Sequence, residues 1–149
     1  YGPGQQLYRI IPRTLLSALS GQRMQLHGGG HSVRAFIHIH DVVRATLQLA
    51  LEGEPGSTWH LSTQDSLSIL ALVEKVFGMT NADFNDLVEV IDERLGKDQS
   101  YLLDSSAMRH VHDWSDRIDL NQGLEETLTW VDANLSTLKS LPWSYQHKS

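Results

Sequence analysis

A chain of 149 residues with 40% apolar and 20% charged side chains has the make-up of one globular domain, able to bury about 70% of its unfolded surface. It carries no cysteine, which excludes a disulfide framework and any thiolate metal site, and a cytoplasmic location is the expectation. A net charge of −6 with scattered cations argues against a nucleic-acid surface, and no apolar run approaches the ~20 residues that span a bilayer.

The chain opens on "YGPGQQLYRIIPR", a turn into which a strand normally runs and from which a helix normally leaves. Pro12 suits the first turn of a helix and disfavours helical geometry at Ile11, so a helix is expected from Pro12 to about Ser20, stopped by Gly21. "MQLHGGG" reads as a short strand ending in a flexible glycine turn. "VRAFIHI" is the best strand in the chain, β-branched and aromatic. Asp41 stands where an N-cap belongs, ahead of the helix "VVRATLQLALE", which ends before Gly53. "EPGS" is a turn and "TWHLS" another short strand.

A serine, Ser66 or Ser68, should cap the helix "SILALVEKVF", stopped by Gly78. A strand is expected from Leu87 to Ile91, with an exposed loop after it, and Asp104 can cap a short helix through His110. Asp119 and Gln122 have capping-box spacing, and Leu124, Leu128, Val131, Leu135 and Leu138 form the apolar stripe of a last helix ending near Pro142. Strands alternate with helices throughout, which favours an α/β architecture. The strands are too few and too short for a doubly wound sheet of their own. The dinucleotide fingerprint is absent, because "GGGHS" has the wrong spacing and no helix follows it.

His38 and His40 lie two apart and share a strand face, and His110 and His112 repeat the spacing. With Asp41 and Asp113 nearby a zinc site can be imagined, but no spacing supplies a third ligand, so no metal is assigned.

"YGPGQ", a basic residue followed by "IIP", "VRAFIHIHD", and "ERLGKDQSYLLDSSAMR" followed by a tryptophan occur in this order. In that order they resemble the extended short-chain dehydrogenase/reductases acting on nucleotide sugars, most closely the dTDP-glucose 4,6-dehydratases. The related epimerases and decarboxylases come next. The resemblance runs over essentially the whole chain, residues 1–149. It implies the C-terminal, substrate-binding portion of a Rossmann-type fold, without the dinucleotide-binding half. It implies no catalytic residue here either, since Tyr1 has Gln5 four positions on where the family's Tyr-x-x-x-Lys pair needs lysine.

The same resemblance assigns a subsite for a nucleotide-diphosphate sugar, whose charge calls for arginine forks. Arg34 matches the arginine of the family's R-x-F/W strand. Arg94 matches the arginine of its R-P-G-H-D loop, where this chain has Leu95 for the proline and Lys97 for the histidine. Arg9 matches the basic residue of K-L-I-P. His27 falls at a position often aromatic and close to the base, and His60 replaces the asparagine of a Y-N-I-G strand. NAD is the cofactor of the parent family, with none expected on this chain. Self-association through exposed sheet or helix surfaces is expected. Fragments of a UDP-sugar 4-epimerase or decarboxylase, and a non-enzymatic binding or assembly module, are the alternatives.

Overall fold

The computed structural model describes residues 1–93, 96 and 98–143. Its first helix, α1 (Ile10–Ser20), begins ahead of Pro12, so Ile11 is helical after all. The reason is positional. The amide that proline lacks falls in the first turn, where no helical carbonyl could reach it. Gly21 ends the helix as expected, in the left-handed region at φ 72°, with its N–H donating to the Ser17 carbonyl.

β1 (Met24–His27) then pairs in parallel with β4 (Val88–Ile91), in the register Met24 to Val88 through His27 to Ile91. Between β1 and the next strand, Gly28, Gly29 and Gly30 all have positive φ (57°, 63° and 71°). The glycine run is therefore a fixed left-handed turn. A Cβ at Gly28 would strike the Glu93 side chain, and one at Gly30 would lie 2.8 Å from the Leu70 backbone nitrogen.

The strand expected over "VRAFIHI" shrinks to β2 (Val33–Arg34), central between antiparallel β3 (Leu67–Ser68) and parallel β5 (Ser100–Tyr101). Beyond Arg34 this stretch joins no assigned ladder, and its next backbone partner is Tyr1. The Tyr1 nitrogen donates to the Ile37 carbonyl at 2.7 Å, and the Ile39 N–H donates to the Tyr1 carbonyl at 2.7 Å. "TWHLS" forms no strand. Trp59 and Leu61 turn instead onto a small cluster with Ala45, Met108 and Trp114.

α2 (Ile39–Glu52) starts ahead of Asp41, with His38 at the cap position. Asp41 is thus inside the helix rather than at its cap. The remaining caps are closer to expectation. The Ser68 hydroxyl accepts from Ala71 N–H at the start of α3 (Ile69–Gly78), and the Asp119 carboxylate accepts from Gln122 N–H at the start of α6 (Leu120–Ala133). Short α4 (Phe84–Leu87) precedes β4. In α5 (Ser106–Val111) Ser105 takes the cap position, while Asp104 accepts from the Ser106 N–H.

The last apolar stripe is divided at Asn134 into α6 and α7 (Leu135–Leu138), where the Asn134 side chain donates to the Trp130 carbonyl. Leu124, Val131 and Leu138 nevertheless enter one core with Ile11, Leu15, Leu16, Leu72 and Val76. Each such side chain contributes about 1.5–3 kcal/mol by burial. A second core, Met24, Leu26, Val73 and Phe77, packs α3 against β1. These two cores set the relative placement of α1, α3 and the β1–β4 pair, and so of the loop after β4.

Candidate functional site

That loop, residues 92–99, is gripped at both ends by residues singled out in the sequence. His27 Nδ1 lies 3.3 Å from the Asp92 carbonyl oxygen. Half-buried Arg34 donates from Nη1 to the Val33 carbonyl at 2.7 Å and from Nη2 to the Asp98 carbonyl at 2.8 Å. The parallel β2–β5 pairing, extended by Val33 N–H to the Gln99 carbonyl, sets Tyr101 beside Arg34. Arg94 and Lys97 belong to this loop and lie outside the described residues. His27 and Arg34 thus meet the described ends of this loop, at Asp92 and Asp98, although they are far from them in the chain.

Where that pairing ends, Ala35 and Leu102 open into a cavity of about 330 Å³ lined also by Ser62, Thr63, Asp104, Arg109 and His110. The volume is at the lower end of what a small-molecule site needs. The sequence reading did not single out Arg109, although it closes a quoted motif. Its guanidinium donates to the Ser62 carbonyl (2.9 Å), the Ser105 hydroxyl (3.2 Å) and Asp116 (2.6 Å), and it lies over the Trp114 ring. With its charge met by Asp116, it shapes the cavity wall rather than offering a free cation. Burial pushes the Asp116 carboxyl up, but hydrogen bonds from Arg109 and Thr63 outweigh it and hold the group below its ordinary value.

Exposed Arg9 is at the α1 cap position, its guanidinium 5.3 Å from the centre of the Tyr8 ring. His60 is exposed on an irregular segment rather than a strand. The Asp104 carboxyl is lowered mainly by the hydrogen bond from the Ser106 N–H, with a minor pull from His60 and His110.

Asp41, expected as a cap, is wholly buried and holds a distant segment in place. Its carboxylate accepts from the Arg117 and Ile118 N–H groups at 3.0 Å and from Arg44 at 2.6 Å, and Arg44 also reaches the Ser115 carbonyl. Nothing local in the sequence signals that role. The glycine run fits a dinucleotide poorly, since its turn leads into β2 and opens no helix.

The fold has known counterparts. Residues 1–62 match the family model described as the NAD dependent epimerase/dehydratase family. The α/β fold, with few short strands between helices, is that of a portion of the Rossmann-type enzymes of this family. The chain is similar to the dTDP-glucose 4,6-dehydratase of Mycolicibacterium smegmatis, 30% identical over 145 residues, covering 95% of this chain and 43% of that protein.

Among solved structures, the dTDP-glucose 4,6-dehydratase of Bacillus anthracis in complex with NAD superposes with a TM-score of 0.79 at 27% identity, over 91% of this chain and 43% of the other. MoeE5 in complex with UDP-glucose and NAD gives 0.82 at 27% identity, over 91% and 45%. The chain thus spans less than half the length of the proteins it matches.

Proposed function

We propose that this chain carries the sugar-nucleotide subsite of a nucleotide-sugar 4,6-dehydratase of the dTDP-glucose type, as one C-terminal substrate-binding domain over residues 1–149. Arg34 meets the diphosphate with its remaining N–H groups, and the family resemblance adds Arg94 and Lys97 as further cations, His27 near the base and Arg9 near the nucleotide. His60 is proposed as a further polar contact to the sugar nucleotide. The observation that carries this reading is that His27 and Arg34 hold the two ends of the loop bearing Arg94 and Lys97. A diphosphate favours such a place, because an arginine whose fork is already oriented by two carbonyls loses little freedom on binding.

In a 4,6-dehydratase a nicotinamide exchanges a hydride with the sugar while water is lost across carbons 5 and 6. The glycine run does not fit that cofactor, since it opens no helix, and the part proposed for these residues is to bind and orient the diphosphate. A UDP-sugar 4-epimerase or decarboxylase would use the same subsite. The location proposed is cytoplasmic; among the described residues no helix is long and apolar enough to cross a membrane.

Titration of the chain with dTDP and with UDP, followed by NMR, tests the proposal. Binding no tighter than roughly millimolar, about −4 kcal/mol, is expected, with shifts over residues 28–39 and 93–101 and loss of binding in Arg34→Ala. Shifts mapping elsewhere would overturn it.

A second reading, assembly through self-association, is favoured by α2, which exposes Ile39, Val43, Leu47 and Leu51 along one face. Sedimentation across a concentration series distinguishes the two readings.

A further inference from the structure

In the sequence the pair His38 and His40 lacks a third metal ligand, and the fold supplies one. α6 brings Glu126 against the start of α2, its Oε2 3.8 Å from His38 Nε2 and its Oε1 3.9 Å from His40 Nδ1. One donor atom from each residue lies within 4.8 Å of the others. We propose that His38, His40 and Glu126 bind a divalent transition metal of the zinc type, with further positions open to water.

Two imidazoles and a carboxylate suit zinc and its neighbours in the first transition row better than magnesium or calcium, which prefer oxygen alone. The His38 side chain is fully buried, and its Nε2 has no hydrogen-bond partner although it faces the Glu126 carboxylate. A buried polar nitrogen left in this way calls for a partner. A metal ion held by Glu126 provides it.

Tetrahedral ligands at about 2.0–2.1 Å from zinc stand about 3.3 Å apart, so the three donors must draw together. His38 is fixed by its surroundings, whereas the His40 and Glu126 side chains are 63% and 37% exposed and free to close on it. Coordination through Nε2 puts the imidazole proton on Nδ1, giving up a long 3.4 Å hydrogen bond from the His40 N–H. That exchange, and the positive end of the α2 dipole, make the site weaker than a structural zinc site. Asp41 is not a competing ligand, since Arg44 and the Arg117 and Ile118 amides already occupy its carboxylate.

The test is titration of the 149-residue chain with Co²⁺, read by its visible absorption, then displacement by Zn²⁺, and melting with and without ZnCl₂. Binding should produce cobalt bands that Zn²⁺ abolishes, and Zn²⁺ should raise the Tm. His40→Ala and Glu126→Gln change exposed side chains, so folding survives, and each should weaken binding about tenfold or more, since even outer-shell changes cost that much. Arg34→Ala should leave metal binding unchanged, which separates this site from the nucleotide subsite. Affinity unaltered in His40→Ala and Glu126→Gln, or lost instead in His110→Ala, would overturn the proposal, as would the absence of cobalt bands.

Discussion

Helices α1, α3 and α6 and helix α2 carry equally clear apolar stripes, yet the fold treats them in opposite ways. In the first group the stripe faces inward, and Leu15, Leu16, Val76 and Leu124 are 0% exposed. In α2 the stripe faces outward, with Val43, Leu47 and Leu51 at 56%, 60% and 77% exposure, while the buried positions are Asp41 and Ala45. α1, α3 and α6 are held by apolar area. α2 is attached with the help of a carboxylate that gathers two backbone amides and an arginine. Amphipathic spacing states which face has something to gain from cover, not whether this chain covers it.

The largest test of this contrast is Leu124→Ala, which should cost about 3–5 kcal/mol in urea denaturation, because the surrounding helices cannot close on the cavity. A loss below 1 kcal/mol would mean that this core is loosely packed. Asp41→Asn should cost about 1–3 kcal/mol by the same measurement. The substitution keeps the shape but sets an amide N–H₂ against donors that need an acceptor. If it proves neutral, apolar contact alone attaches α2.

Ser68→Ala removes the α3 cap and should cost about 1 kcal/mol, restored by Ser68→Asp. The Arg109–Asp116 pair should contribute about 1 kcal/mol or less, since desolvation of two largely covered charges offsets most of their attraction. Its sign with pH is definite. The Asp116 carboxyl is depressed in the folded state, so its contribution is present above the ordinary carboxylate value and is lost as pH falls below it. The stability gap between the unaltered chain and Asp116→Asn should therefore be widest near neutral pH and close below about pH 4.

The smallest effect on stability is expected from Leu47→Glu and Leu51→Lys, within about 0.5 kcal/mol for the monomer. Sedimentation should show them less associated than the unaltered chain at equal concentration. Destabilisation of several kcal/mol would instead show that this face is covered within the monomer.

Much of the candidate site was legible only in part. Arg34 and the loop after β4 could be assigned from motif order, but their joining through the Asp98 carbonyl depends on parallel β2–β5 pairing across more than sixty intervening positions. His60 was expected on a strand of the subsite, and the fold leaves it exposed on an irregular segment. Arg109 was passed over because a helix arginine close to a tryptophan looks like any solvated cation until Asp116 and the Ser62 carbonyl converge on it.

By itself the sequence determined what acts within a turn or two of the chain. It settled the stop at Gly21, the cap at Asp119 and the apolar repeat from Leu124 to Leu138, and it narrowed the α3 cap to Ser66 or Ser68, of which the fold uses Ser68. These need only neighbours a few residues away, so local chemistry decides them. The tertiary structure alone decided the rest. "VRAFIHI" keeps only two residues of strand because ladder bonds require another segment to arrive in register. Asp41 became a buried anchor and Glu126 a neighbour of His38 because α6 and the segment before it pack onto the start of α2. A carboxylate's role is set by which donors reach it, and in this chain those donors come from far along the sequence.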